Sequence, residues 1–266
     1  MQNINEIKVV KEILYPYPII IYSNIFDNNQ LQEIKDTLDQ KNINFDKNVM
    51  GGRKTILKGS CNYLNFIEKN NIANLFNNFF DNKNIFNYFY NNLLNINKAN
   101  NNYKFSLINK KINFLEDYIS RENSIYFKIK NKLLREYSRL NNNYFIYCDL
   151  DFSVAAKGYK REPHHDKNDR ILNFLLYFNS YESQNGGGFQ VFKYKKNPDS
   201  FLRQPKESDL TIVETIRPIA GNLVTFLSSP DSIHGVEKIV NDNEKRYFMY
   251  GSYTSLNEAI WNQSKA

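Results

Sequence analysis

The sequence predicts an α+β fold in which a mainly helical N-terminal part, residues 1–143, buttresses a C-terminal core of strands over residues 144–256. Two changes of hydrophobic period carry that reading. Between Asn28 and Leu94 apolar residues recur three and four positions apart, as on amphipathic helices. From Tyr144 the period becomes two, with Cys148, Leu150, Phe152 and Val154 alternating with Tyr147, Asp149, Asp151 and Ser153. Alternation of that kind marks a half-buried strand. The 266 residues are enough for one domain with a sizeable core, and the chain is read as a single domain.

Taken in order, Ile19 to Tyr22 is a β-branched strand closed by Ser23-Asn24. Asp27 is an N-cap with Gln30 three residues on, the spacing of a capping box. Leu31, Ile34 and Leu38 then make Asn28 to Gln40 an amphipathic helix. Gly51-Gly52-Arg53 reads as a hairpin turn into a strand, and nothing there has the phosphate-loop pattern. Ile72, Leu75, Phe76 and Phe79, then Ile85, Phe86, Phe89 and Leu93, predict two helices broken at Asp81-Asn82. The Asn-rich run from Asn95 to Asn102 reads as a loop, and Asn113 to Arg139 as helix or mixed structure. From Tyr144 to about Thr254 the chain is strand, turn, strand. Such a region closes as a double-stranded β-helix, the cupin-like jelly-roll barrel.

Composition narrows the function classes. A net charge of +7 and a pI near 9.1 invite a nucleic-acid reading, but the basic residues are spread and form no block of five. No nucleic-acid partner is therefore expected. Cys61 and Cys148 are too few for a disulfide framework or a cysteine zinc site, which suits a reducing cytoplasm. No stretch approaches the length of a membrane span, and no signal peptide is visible, so a cytoplasmic, membrane-free protein is expected.

The chain is organised around Gly158 to Asn179, which holds two of the three histidines. His164 and Asp166 stand at i and i+2, so on an extended segment both project to one side of the backbone. An imidazole and a carboxylate there can reach one metal ion, while His165 points the other way. The third histidine, His234, lies in a second strand-like segment. Two histidines and a carboxylate form the facial triad of non-haem Fe(II) oxygenases. Arg246, twelve residues further on, is placed to hold a carboxylate through its guanidinium fork.

His164-His165-Asp166, Arg170 to Asn179, Gly186-Gly187-Gly188, Pro218 to Phe226, His234-Gly235-Val236 and Arg246 follow the order HxD, RxLxxLLYxN, Gly-rich turn, PxxGxLVxF, HGV and late Arg. In that order the chain resembles the prolyl-4-hydroxylase-like branch of the Fe(II)/2-oxoglutarate dioxygenases. The likeness implies Fe(II) on His164, Asp166 and His234, 2-oxoglutarate as cosubstrate, and Arg246 on its distal carboxylate. Tyr177 and Asn173 are candidate cosubstrate contacts, Asn173 falling where relatives often carry Thr. Arg161 replaces the Tyr usual three residues before the metal His, with Tyr159 as its candidate substitute. Related halogenases lack the carboxylate, so Asp166 argues for hydroxylation.

The expected activity is that of an iron- and 2-oxoglutarate-dependent dioxygenase. It would use dioxygen to hydroxylate a C–H bond of an amino acid, peptide or other small molecule, releasing succinate and CO2. The alternative is a non-catalytic or oxo-acid-independent cupin-type metal-binding jelly roll. Gly186 to Gly188 reads as structural, a flexible loop at the barrel mouth where a lid over substrate could sit. Asp149, Asp151, Arg161 and Arg217 are candidates to line the mouth, and the two aspartates favour a cationic substrate.

Overall fold

A computed structural model describes residues 6–49, 52–99, 111–119, 125–141, 143–196, 198, 202–241 and 244–256. The N-terminal part contains strands β1 (Lys8–Ile13), β2 (Ile19–Ser23), β3 (Lys47–Val49), β4 (Arg53–Leu57) and β5 (Lys111–Phe114). Its helices are α1 (Asn28–Asp39), α2 (Cys61–Lys69), α3 (Asn71–Phe80), α4 (Lys83–Ala99) and α5 (Ile125–Asn141). The C-terminal part contains β6 (Asn143–Ala155), β7 (Arg161–His164), β8 (Arg170–Tyr177), β9 (Phe189–Tyr194) and β10 (Leu210–Ile216), then β11 (Leu223–Leu227), β12 (His234–Val236) and β13 (Arg246–Ser255). No helix among the described residues is long and apolar enough to cross a membrane.

Local chemistry accounts for the helix boundaries. Asp27 accepts from the Gln30 backbone N–H at 2.9 Å, and the Gln30 side chain accepts from the Asp27 backbone N–H at 3.0 Å, closing the expected capping box. The break at Asp81 is fixed by a buried ion pair, Lys58 Nζ to Asp81 Oδ2 at 2.7 Å. Beyond Leu93 the helix does not stop at the Asn run but continues to Ala99. Ile96 packs against the core and Asn97 is buried, so tertiary packing overrides the weak helix propensity of Asn. Residues 100–102 and the Met50-Gly51 part of the expected hairpin turn lie outside the described residues; Gly52 takes φ +100°.

The strands form two sheets, one ordered β1-β2-β11-β8-β13-β6-β4-β3 with β5 alongside β6, and one ordered β10-β9-β12-β7. The jelly roll is thus a pair of sheets, not a closed barrel. The N-terminal strands widen the first sheet at both ends, so that half of the chain is more than a helical buttress.

Period-two alternation divides the first sheet cleanly. Leu172, Phe174 and Leu176 of β8, with Cys148, Leu150, Phe152 and Val154 of β6, join the helices in one core that includes Phe76, Phe80, Phe86 and Phe89. Leu175 and Tyr177 face the other way, with Phe189, Val191, Val224, Phe226 and Phe248. This second core lies between the two sheets, and the candidate site opens within it.

Candidate active site

Strand pairing brings the two spaced histidines together. β7 and β12 are antiparallel neighbours with His164 directly opposite His234, and the imidazole centroids are 4.4 Å apart. Asp166 follows just past the end of β7, and its Oδ2 lies 3.4 Å from His234 Nε2. One ligand atom from each of His164, Asp166 and His234 falls within 4.8 Å of the others, all three residues being buried. Nδ1 of His164 is 2.9 Å from the Glu162 carbonyl, and Nδ1 of His234 is 3.0 Å from the Ser232 carbonyl. A carbonyl can only accept, so each Nδ1 carries the proton. Both Nε2 atoms are thereby left with a lone pair, the orienting role that such partners play at metal sites; that of His164 accepts from Arg161 Nε at 3.4 Å, a contact that a cation would displace.

Electrostatics favour the same protonation state. Burial, reinforced by His234, pushes His164 down to about 3, and burial likewise lowers His234. Burial alone would raise Asp166, but Arg170, His234, His164 and the Tyr250 hydroxyl outweigh it and hold the carboxyl well below its usual range. Neutral imidazoles and an ionised carboxylate are the forms that bind a metal. Arg170 Nη1 donates to Asp166 Oδ1 at 2.6 Å, and the Tyr250 hydroxyl is 3.0 Å from both oxygens. Neither Arg170 nor Tyr250 was singled out from the sequence. Strand parity was the available signal for Tyr250, which shares a face of β13 with Arg246.

Arg246 begins β13 opposite Ala155 and is 0% exposed. Its Nε, Nη1 and Nη2 have no hydrogen-bond partner among the described residues. The guanidinium carbon lies 4.6 Å from the Phe248 ring centroid and 5.1 Å from that of Tyr177. A buried cation flanked by ring faces is costly unless an anion joins it. Arg246, Phe248 and Tyr250 line the same cavity of about 200 Å³ as His164, Asp166 and His234. The donor set and the orphaned guanidinium fit Fe(II) and a dicarboxylate.

The other sequence candidates fall as follows. Tyr177 is fully buried behind Arg246, its hydroxyl raised by burial against the lowering effect of that cation. Asn173 accepts from the Tyr250 hydroxyl at 3.3 Å. Neither lines the cavity, whereas Tyr159 and Arg161 do. His165 is fully buried, with Nε2 3.3 Å from the Tyr194 hydroxyl. Lys245 turns away from the cavity and pairs with Asp39 at 2.5 Å. Arg217 pairs with Glu237 at 2.6 Å and does not line the cavity.

Gly186 to Gly188 is not a lid. All three are buried, and Gly187 N–H donates to the Glu237 carbonyl at 3.2 Å. At φ +74° a Cβ on Gly186 would stand 2.0 Å from the Lys238 carbonyl oxygen, and one on Gly187 would meet the Arg246 stem at 3.5 Å. Close approach of backbone to backbone requires glycine here.

Residues 150–253 match the family model of the 2OG-Fe(II) oxygenase superfamily. The matched segment, about two fifths of the chain, contains the His-Asp-His cluster and supports an enzyme of the 2-oxoglutarate-dependent Fe(II) dioxygenase class. Within it, the ordered motifs from His164 to Arg246 are similar to those of the prolyl-4-hydroxylase-like branch. No curated protein sequence matches the chain.

Among solved structures, a Pseudomonas putida prolyl-4-hydroxylase is similar at 13% identity and TM-score 0.46, covering 91% of this chain and 94% of that one. HygX from Streptomyces hygroscopicus, with nickel, 2-oxoglutarate and hygromycin B bound, is 8% identical at TM-score 0.48, covering 92% and 85%. A Trichoplax adhaerens prolyl hydroxylase in complex with a hypoxia inducible factor peptide fragment is 15% identical at TM-score 0.40, covering 89% and 83%.

Proposed function

We propose that His164, Asp166 and His234 hold the Fe(II), that Arg246 binds the distal carboxylate of 2-oxoglutarate, and that the enzyme hydroxylates a C–H bond of an amino acid, peptide or other small molecule. Bound iron with cosubstrate supplies an oxidation in which one dioxygen converts R–H to R–OH and 2-oxoglutarate to succinate and CO2. The protein's contribution is to bind, aim and exclude water. The two Nε2 atoms and Asp166 Oδ2 face one point, and Arg170 and Tyr250 keep the carboxylate ionised and oriented. Leu175, Phe189 and Val236 form apolar walls. Tyr177 and Asn173 act as positioning residues, the first behind Arg246 and the second behind Tyr250.

The observation that carries this reading is Arg246, a fully buried cation whose donors have no partner among the described residues. An oxo-acid-independent cupin would leave that charge without an anion. Both cysteines are free thiols, which fits the reducing cytoplasm that ferrous iron requires. Anaerobic titration with Fe(II) and then 2-oxoglutarate tests the proposal. A weak visible charge-transfer band saturating at one equivalent of each is expected. Iron uptake with no band and no 2-oxoglutarate binding would overturn it.

A further inference from the structure

The cavity has a lopsided charge inventory. Arg53, Arg161, Arg170, Arg203 and Arg246 line it, against Asp151 and Asp166 as the only carboxylates among the described residues. Both carboxylates face guanidinium groups already: Asp166 meets Arg170 at 2.6 Å, and Asp151 lies 3.8 Å from Arg53. Asp149 does not line this cavity; it borders a separate small cleft beside Arg170. Of the two aspartates expected to receive a cationic substrate, only Asp151 therefore lines the central cavity.

Arg161 and Arg203 line the same cavity as the His-Asp-His cluster, the first held by a side-chain contact and the second by a backbone one. Arg161 Nε is 3.4 Å from His164 Nε2. Arg203 is tied to the central motif because its carbonyl accepts from the His165 N–H at 2.9 Å. Its side chain is exposed at the cavity mouth. The charges brought by ferrous iron and by a 2-oxoglutarate dianion cancel, so the lining stays positive when both are bound. A cleft lined by one sign of charge with apolar walls concentrates ligands of the opposite sign.

We infer that the substrate enters through an anionic group, a carboxylate or a phosphate, received by Arg203 and Arg161 at the cavity mouth. The inference rests on the reading above, in which Arg246 is committed to the cosubstrate. Phe248 and Tyr250, on the same wall, then face the substrate skeleton behind that anion. Arg203 sets specificity and takes no part in the chemistry.

The test is calorimetric binding of hexanoate, hexyl phosphate, hexanamide and hexylamine to anaerobic protein saturated with Fe(II) and 2-oxoglutarate. The two anions should bind at least tenfold more tightly than the amide and the amine, and the ratio between them tells carboxylate from phosphate. Arg203→Gln, an exposed change that leaves the core intact, should remove most of that advantage, and Arg203→Lys should retain it. Tighter binding of hexylamine or hexanamide would overturn the inference. So would an anion preference that survives both Arg203→Gln and Arg161→Gln. The 2-oxoglutarate titration of the same sample, run before any probe is added, shows separately whether the cosubstrate reading holds.

Discussion

Replacing Arg246 with Leu separates the role of the guanidinium in the empty protein from its role toward a ligand. The side chain is 0% exposed and its three nitrogens have no hydrogen-bond partner among the described residues. Truncating one member of a buried charge pair costs about 2–5 kcal/mol of binding. At tenfold per 1.4 kcal/mol, the 2-oxoglutarate constant should rise by about thirtyfold to several thousandfold. Stability should move differently. In the ligand-free protein Arg246→Leu removes an uncompensated buried cation, so the melting temperature should hold or rise. Ligand at a hundred times its dissociation constant stabilises the wild type by about 2.7 kcal/mol, and a thirtyfold loss of affinity cuts that to about 0.9 kcal/mol. Arg246→Lys should fall between, because the charge remains and the fork is lost. The assay is calorimetric affinity in anaerobic Fe(II)-loaded protein, beside thermal melts with and without 2-oxoglutarate. Unchanged affinity in Arg246→Leu would remove the argument for a carboxylate at this position.

Three further outcomes follow from the geometry. His164→Ala, Asp166→Ala and His234→Ala should each lose iron and iron-dependent turnover, while His165→Ala keeps its iron; an iron-free His165→Ala beside an iron-loaded His164→Ala would reverse the assignment. Burial, with His234 adding to it, holds His164 near 3 and His165 near 4. Below pH 6.5 the unfolded chain therefore binds protons that the folded chain refuses, so metal-free stability should fall on acidification to about pH 4. Each histidine contributes about 1.4 kcal/mol per pH unit; flat denaturant midpoints across that window would contradict the buried neutral rings. Gly186→Ala must move backbone, since its Cβ would stand 2.0 Å from the Lys238 carbonyl oxygen. A cost above about 2 kcal/mol is expected from a strained φ and a clash together, and a neutral melt would revive the lid reading.

The His164-Asp166-His234 cluster was legible because its signal is short-range. His164 and Asp166 share a strand face by arithmetic alone, and His234 joined them as the remaining histidine in a strand-like segment. What stayed hidden depends on long-range pairing. Arg170 is four residues from Asp166, yet only the turn after β7 brings its Nη1 within 2.6 Å of that carboxylate. Tyr250 reaches Asp166 from 84 positions away. Aspartates on β6 looked like substrate contacts because parity placed Asp149 and Asp151 on one face. Parity does not say which cavity that face meets, and only Asp151 lines the central one. In the N-terminal part, Lys8 to Ile13 has almost no buried side chain. An edge strand of that kind is specified by its pairing with β2 rather than by hydrophobic pattern.

The helices bear on the chemistry through the register of β13. On that strand Arg246, Phe248 and Tyr250 face the cavity, while Tyr247, Met249 and Tyr253 belong to the helix-side core. A slip by one residue would exchange the two sets, turning the guanidinium toward the helices and Met249 toward the cavity. Packing on the helix side opposes such a slip at named positions. The Tyr253 hydroxyl donates to the Phe80 carbonyl at 2.8 Å. Phe80 stacks on Phe174 at 4.4 Å. Gly251 leaves room for that ring, since a Cβ there would stand 2.2 Å from Phe174 Cζ. Tyr247 reaches Asp39 on α1 at 2.6 Å. Residues that never touch the cavity thus fix which side chains of β13 enter it.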